Sequence, residues 1–155
     1  MNMYSSAPRA RRYSRPQPLE DYRVYPARIL LAEDDSELRA LLASELRKDG
    51  YIVEEARTGY DLLELLGNLT LRSEVCDVLI TDIRMPGLTG LSIAEALRHG
   101  FAKGTTGTPI ILITAFGDDA THAEAKRLGA TIFDKPFDLD DLRTCIRSLV
   151  SPSST

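Results

Sequence analysis

The chain has 155 residues, of which 43% are hydrophobic, with 19 Lys and Arg against 23 Asp and Glu, two Cys and no Trp. This composition excludes a fibre, a disulfide-stapled scaffold and a wholly disordered chain, and the length suits one domain. Cys76 and Cys145 are too few for a disulfide framework or a zinc site, so we expect a reducing compartment. No apolar run approaches the roughly 18 residues of a membrane span, and no secretory apolar stretch opens the chain, which together predict a cytoplasmic protein.

Charge is divided unevenly along the chain. Residues 1–28 contain six Arg and two acidic residues, a net charge of +4, whereas residues 29–155 contain 13 basic and 21 acidic residues, a net charge of −8. Residues 1–27 are rich in Pro, Ser, Arg and Tyr without a hydrophobic period, which predicts a disordered basic arm. The folded domain is predicted to span 28–150, followed by a frayed tail at 151–155.

Short apolar runs alternate with helical patterns through the rest of the chain. Strands are predicted at 28–32, 52–56, 75–81, 109–113 and 131–133. Between and after them, apolar residues recur at three- and four-residue spacings that predict five helices. The first helix stops at Gly50, the second carries the leucines of 62–69, the third ends at Gly100, the fourth spans about 118–128, and the fifth begins near Asp138. Such a βα repeat implies a parallel sheet covered on both faces by helices.

Polar side chains follow four of the predicted strands. The first strand is followed by Glu33, Asp34 and Asp35, the third by Asp82, the fourth by Thr114 and Ala115, and the fifth by Lys135. In an open parallel sheet, ligands bind beyond the carboxyl ends of the strands, so we expect these side chains to share one rim.

A group of carboxylates on one rim needs a compensating charge. Each pair repels by roughly 1–4 kcal/mol at about 4 Å, and a hard divalent cation removes this cost. Oxygen ligands without His or Cys favour Mg²⁺ over zinc. Lys135 supplies a positive charge for an oxyanion, and the Thr114 hydroxyl can donate to the same group. This set of residues suits phosphoryl transfer in which Asp82 attacks in line and becomes an acyl phosphate.

Four segments resemble the receiver domain of two-component response regulators. They are ILLAEDD at 29–35, DVLITDIRMPGLTG at 77–90, PIILITA at 109–115 and DKPF at 134–137. The resemblance covers about residues 27–150 and implies a flavodoxin-like α/β fold, with five parallel strands in the order 2-1-3-4-5 and five helices. It also implies a phosphoacceptor protein that is not a conventional enzyme and that receives its phosphoryl group from a histidine kinase or a histidine phosphotransfer protein.

The resemblance assigns a role to each site residue. It implies phosphorylation of Asp82 and a Mg²⁺ ion held by Asp34, Asp82 and the backbone carbonyl of Arg84, with Glu33 in contact with the metal through water. It also implies that the Thr114 hydroxyl acts as a switch, that the Lys135 amine pairs with the phosphate, and that Ala115 leaves room for the phosphoryl group. It further implies that phosphorylation remodels a face made by the fourth helix, fifth strand and fifth helix. That face would contact an unknown downstream protein or form a homodimer.

The chain departs from the family pattern near its fifth strand. The segment GATIFDK at 129–135 is one residue shorter than the commonest spacing, so the position of the switch aromatic falls on Ile132. Either the neighbouring Phe133 acts as the switch or no aromatic switch operates. The resemblance implies that hydrolysis of the phosphorylated form depends on the residues two positions after Asp82 and two positions after Thr114, here Arg84 and Phe116. Neither residue offers a group that would orient a water, which predicts slow hydrolysis. The function of the long loop at 102–108 is not readable.

Other interpretations remain open at this point. Taken singly, Asp34 and Asp35 could cap a helix, Asp82 could begin a turn, and Lys135 could be a surface residue; their joint placement favours the site. A receiver-like interaction module that is never phosphorylated is one alternative. A metal-dependent phosphate-ester hydrolase is another, although it would need an acid or base and no His is predicted near the rim. The arginines at 9, 11, 12 and 15 could bind nucleic acid, but only in a non-specific, salt-dependent way, and a solvated tail explains them more simply.

Overall fold

The computed structural model describes residues 26–151, in which five strands alternate with five helices. In chain order the elements are β1 Arg28–Ala32, α1 Ser36–Lys48, β2 Ile52–Ala56, α2 Gly59–Leu71, β3 Val78–Asp82, α3 Gly90–Arg98, β4 Ile110–Thr114, α4 Asp119–Arg127, β5 Thr131–Asp134 and α5 Leu139–Val150. The predicted arm lies outside the described residues except for Pro26 and Ala27, and the predicted tail except for Ser151. Both therefore stay predictions.

The strands form one parallel sheet in the order β2-β1-β3-β4-β5, which confirms the predicted flavodoxin-like topology. Ile29 is level with Val78, Asp82 with Ile113, and Thr114 with Asp134. The strands consequently end at nearly the same level, and the residues that follow them meet at one edge of the sheet.

The core lies on both faces of the sheet. On one face, Ile29, Leu31 and Ile80 pack with buried residues of α1 and α5. On the other face, Leu30 and Leu79 pack with buried residues of α2, α3 and α4. All residues of β3 and β4 are buried, as the continuous apolar runs of these strands indicate for a sheet covered on both sides.

The third strand begins later than its apolar sequence suggests. Prediction placed it at 75–81, but Val75 is 67% exposed and β3 starts at Val78. Its neighbour β1 begins at Arg28, whose carbonyl accepts a hydrogen bond from the backbone N–H of Asp77 at 2.9 Å. Residues before Asp77 therefore extend past the sheet. The fourth and fifth strands each end one residue later than predicted, and Asp82 is the last residue of β3 rather than the residue after it.

Side-chain caps start all five helices and direct the loops above the sheet. The N-caps are Asp35, Thr58, Thr89, Asp118 and Asp138, each of which accepts a hydrogen bond from a backbone N–H of the first turn. Such a cap stabilises a helix by about 0.5–2 kcal/mol. Asp138, near which the fifth helix was predicted to begin, is the cap of α5. Within residues 26–151, every helix falls short of the length and apolar content needed to cross a bilayer.

Candidate functional site

Four neighbouring strands place the predicted site residues at one edge of the sheet. Glu33 follows β1, Asp82 and Thr114 end β3 and β4, and Lys135 follows β5. Backbone hydrogen bonds of the sheet extend to this edge. The Glu33 N–H donates to the Ala56 carbonyl at 3.1 Å, and the Lys135 N–H donates to the Thr114 carbonyl at 2.8 Å. The loops that carry these residues are therefore anchored where they leave the strands.

Three carboxylates converge at this edge. Oxygen atoms of Glu33, Asp34 and Asp82 lie within 4.8 Å of one another. Glu33 and Asp82 are buried and Asp34 is exposed, so the cluster opens to solvent on one side. Asp35, the adjacent carboxylate, instead caps α1 by accepting from the N–H groups of Glu37 and Leu38. Asp35 is therefore the helix cap, and the metal role of Asp34 stays a prediction.

The carboxylate cluster fits a hard divalent cation. The Oε2 atom of Glu33 is buried and has no hydrogen-bond partner in the described structure, an arrangement that costs free energy unless a ligand compensates it. The cluster offers buried carboxylate oxygens and is open to solvent on one side. This arrangement suits Mg²⁺, which usually binds one or two carboxylates and keeps several waters.

Lys135 bridges the two buried carboxylates. Its Nζ donates to Glu33 Oε1 at 2.6 Å and to Asp82 Oδ2 at 3.0 Å. Burial is the largest single influence on the pKa of Lys135 and lowers it, but the hydrogen bonds to Glu33 and Asp82 and the charges of these carboxylates together raise the pKa above its usual value, so the amine is held in its charged form. Burial, together with the neighbouring Asp82, raises the pKa of Glu33 from 4.5 to about 8, despite the opposing effect of Lys135. The ammonium thus compensates only part of the negative charge of the cluster.

Asp82 is held on both sides of its carboxylate. Oδ1 accepts from the backbone N–H of Arg84 at 3.0 Å, while Oδ2 accepts from Lys135. Gly90, at the start of α3, packs against the backbone of Asp82 so closely that an added Cβ would overlap its carbonyl oxygen. Sequence reasoning missed this requirement at Gly90, although its place in the segment DVLITDIRMPGLTG was a usable signal.

The β4–α4 loop lies beside Asp82. The Thr114 hydroxyl accepts from the backbone N–H of Phe116 at 3.1 Å. The Arg84 guanidinium lies over the Phe116 ring, with Cζ 4.2 Å from the ring centroid. The two residues predicted to slow hydrolysis therefore contact each other, and they join the loop after β3 to the loop after β4. The role of the Arg84 carbonyl as a metal ligand stays a prediction.

The family model described as response regulator receiver domain matches residues 29–147. The chain belongs to this family. Together with the five-stranded topology, this match confirms the predicted receiver resemblance and makes the chain a relative of two-component regulators. The receiver family is a signalling domain whose members interact with histidine kinases or phosphotransfer proteins, and they generally use Mg²⁺.

Individual relatives support the same assignment. The receiver is 30% identical over 121 residues to sporulation initiation phosphotransferase F of Bacillus subtilis, covering 77% of this chain and 90% of that protein. It is 34% identical over 123 residues to regulatory protein AtoC of Escherichia coli, covering 77% of this chain and 24% of that protein. The chain thus spans only about a quarter of AtoC, and it spans 45% of the probable transcriptional regulator ycf27 of Guillardia theta.

Solved structures share the fold over most of the receiver. The chemotaxis protein CheY4 of Vibrio cholerae matches with a TM-score of 0.68 and 28% identity, covering 80% of this chain and 98% of that chain. The non-phosphorylated HemR receiver domain of Leptospira biflexa matches with a TM-score of 0.70 and 28% identity, covering 83% of this chain and 98% of that chain.

Phe133, the predicted switch aromatic of this receiver, lies on the face of the sheet that α1 and α5 cover. It packs against that core, and its ring meets the Phe137 ring edge-on with centroids 5.9 Å apart. Ile132 lies on the opposite face, with the core of α2, α3 and α4. The switch role of Phe133 stays a prediction.

A side-chain contact that sequence reasoning missed ties α4 of the receiver to β5. His122 Nε2 lies 3.0 Å from Asp134 Oδ2. Both side chains lie against Gly117 in the β4–α4 loop, where an added Cβ would overlap Asp134 Oδ1 and approach His122 Nε2 to 2.8 Å. The pair thus fixes the loop that begins at Thr114. Sequence reasoning gave His122 no role, because residues 12 positions apart carry no motif that would reveal the contact.

Proposed function

We propose that this chain is a phosphoacceptor response regulator that is phosphorylated on Asp82 in a Mg²⁺-dependent reaction with a histidine kinase or a histidine phosphotransfer protein. The observation that carries the proposal is the bridge from Lys135 to both Glu33 and Asp82 inside a carboxylate cluster with one unpartnered buried oxygen. Folding alone does not explain why two buried carboxylates lie side by side, since burying like charges costs stability.

Each residue of the site has a separate role in the proposed phosphoryl transfer. A carboxylate oxygen of Asp82 forms a bond to phosphorus while the bond from phosphorus to the donor histidine nitrogen breaks, and that nitrogen keeps the electron pair and regains a proton. Lys135 offsets the charge on the equatorial oxygens. The Thr114 hydroxyl accepts a hydrogen bond from the Phe116 N–H and can at the same time donate its own proton to one of these oxygens. Asp34, Asp82, the Arg84 carbonyl and, through water, Glu33 would hold Mg²⁺, which when bound neutralises developing negative charge.

The output of the proposed switch is a protein contact. Phosphorylation can shift the receiver only if the phosphoryl group binds one conformation better than the other. The hydroxyl of Thr114 and the loop that follows it connect Asp82 to α4 and β5 through the His122–Asp134 pair. This connection supports a switch face made of α4, β5 and α5, which would bind a downstream protein or a second copy of the chain.

Persistence of the phosphorylated form is a further part of the proposal. Arg84, whose backbone N–H donates to Asp82, stacks its guanidinium on the Phe116 ring, and neither side chain carries a carboxylate or amide that would orient an attacking water. Hydrolysis of phospho-Asp82 is therefore expected to be slow.

Intact mass spectrometry tests the central claim. The full chain is incubated with Mg²⁺ and acetyl phosphate, and Asp82→Asn serves as the control. One phosphoryl adduct that disappears in the variant supports the proposal. Absence of an adduct with acetyl phosphate and with phosphohistidine donors would instead favour the interaction module that is never phosphorylated. Repeated turnover of a generic phosphate ester would favour the hydrolase.

A further inference from the structure

A pocket opens at the end of the sheet opposite the carboxylate cluster. Its volume is about 340 Å³, at the lower end of the range of about 300–1,000 Å³ for ligand pockets. Its walls are the end of α2, residues 73–76 before β3, and the loop at 103–108. Asp82 lies at the other end of β3, so this pocket is separate from the proposed phosphoacceptor site.

Exposed apolar side chains surround this pocket. Six large hydrophobic side chains are exposed in the described structure, and three of them lie around the pocket. They are Leu71 at 86%, Val75 at 67% and Phe101 at 58% exposure. Val75 lines the pocket, while Leu71 and Phe101 lie next to lining segments. A cluster of exposed apolar groups beside a pocket is typical of an interaction surface.

The pocket has a fixed outer wall. The Arg98 guanidinium donates to the backbone carbonyl of Thr106 at 2.9 Å and to that of Thr108 at 2.7 Å. It also donates to the Leu128 carbonyl at 2.7 Å, which anchors the 103–108 loop to the end of α4. An occupant would therefore bind a shape that already exists, which lowers the entropy cost of binding.

The chain enters the described structure beside this pocket. Arg28 opens β1, and its guanidinium pairs with Glu74, a pocket residue, at 3.0 Å. Twenty-five residues precede Pro26. Tyr25 and Tyr22 lie three and six positions before Arg28, so an extended chain would hold them within about 10 and 20 Å of Arg28. Both tyrosines are thus tethered close to Glu74 in the pocket wall.

The chemistry of residues 1–25, the N-terminal segment, matches the pocket and the body of the protein. Four of the six tyrosines in the chain lie in this segment, which carries five Arg and two acidic residues, a net charge of +3. Residues 26–151 carry 14 basic and 21 acidic residues, a net charge of −7. A tyrosine combines an apolar ring with a polar hydroxyl. The pocket offers the same combination, with Leu66 and Leu69 beside the hydroxyl side chains of Thr105 and Thr108.

We propose that the N-terminal segment binds intramolecularly to this pocket, with Tyr22 or Tyr25 inserted between α2 and the 103–108 loop. The tether raises the effective concentration of the segment to about the millimolar range, so that a few weak contacts are sufficient. The charged side chains that line the pocket are Lys103 and Glu74, and Glu74 already pairs with Arg28 and Arg72, so apolar contact rather than charge would hold the segment there. The pocket thus acts as a second interaction surface. The N-terminal segment competes for it with any partner peptide of similar chemistry. This inference does not depend on phosphorylation of Asp82.

Photo-crosslinking of the full-length chain tests the inference. Position 22 carries p-benzoylphenylalanine in place of Tyr22, and crosslinked peptides are mapped by mass spectrometry. We expect crosslinks within one chain to residues 66–76 or 101–108. Val75→Lys should lower their yield about tenfold, because it removes apolar contact and adds a like charge opposite the basic segment. Leu41→Lys, an equivalent change of an exposed leucine on α1, should leave the yield unchanged.

Several results would overturn the inference. Crosslinks that map elsewhere on the body, crosslinks that form only between chains, or a yield that Val75→Lys does not change would each contradict intramolecular docking. Thermal unfolding by circular dichroism shows whether each variant retains its fold. If Val75→Lys does not fold, Phe101→Lys, at another exposed residue beside the pocket, provides the same test.

Discussion

Neutralising Glu33 should change how the stability of the metal-free protein depends on pH. Glu33 is 1% exposed, and its pKa is raised from 4.5 to about 8, first by burial and then by Asp82. Because its pKa in the folded state exceeds that in the unfolded state, its stabilising contribution is complete below pH 4.5. That contribution is lost as the pH rises through 8. The full shift corresponds to about 3–5 kcal/mol of unfolding free energy, at about 1.4 kcal/mol per pKa unit.

Urea unfolding in the presence of EDTA, followed by circular dichroism at several pH values between 5 and 8, measures this contribution. The difference in unfolding free energy between the wild type and Glu33→Gln isolates Glu33 from other titrating groups. We expect Glu33→Gln to become progressively more stable than the wild type as the pH rises. Glu64→Gln, on the exposed side of α2, is the matched control for the loss of a carboxylate.

Addition of Mg²⁺ provides the complementary measurement. A cation that binds the ionised cluster should stabilise the wild type more at pH 8 than at pH 5, because protonated Glu33 is a poorer ligand. A difference between the wild type and Glu33→Gln that stays constant from pH 5 to pH 8 would refute the reasoning. It would show that Lys135 compensates the charge of Glu33 completely.

Three further substitutions test other parts of the site. Lys135→Gln should lower the rate of adduct formation with acetyl phosphate about 10²-fold, measured by intact mass, because it removes a charged donor to the phosphoryl oxygens; an unchanged rate would contradict that role. The double variant Arg84→Ala, Phe116→Ala should lose its phosphoryl group faster than the wild type, as followed by the same method, and equal lifetimes would exclude a protective stack. Gly117→Ala should break the contact between His122 and Asp134, because the added methyl group overlaps the ends of these two side chains; since both are partly exposed and can rotate away, thermal unfolding should show a loss of at most about 1 kcal/mol. Gly107→Ala, where a Cβ meets no atom within 4 Å, is the control.

Most of the fold could be predicted because the apolar periodicity and the buried positions coincide. The strands at 28–32 and 52–56 have the predicted bounds. The third strand does not, because Val75 is as apolar as a core residue but lies beyond the start of β1. Local hydrophobicity indicates which residues can be buried, whereas the neighbouring strand sets where pairing begins.

Part of the site could also be predicted, for a similar reason. Parallel strands bring their carboxyl ends to one edge, so residues that follow different strands are expected together without knowledge of any distance. The convergence of Glu33, Asp34 and Asp82 follows that expectation. The sequence left open whether Asp34 or Asp35 would serve as the helix cap, and the first turn of α1 selects Asp35.

The sequence by itself determined the order of the elements and the kind of chemistry available, because both depend on local periodicity and on which residue types follow each strand. The tertiary structure decided which side chains contact one another. The bridge from Lys135 to Glu33 joins residues 102 positions apart, and the stacking of Arg84 on Phe116 depends on the conformations of two loops. The pocket at the far end of the sheet likewise exists only where α2 and the 103–108 loop pack together. Such contacts depend on distances of a few ångströms, which no spacing along the chain specifies.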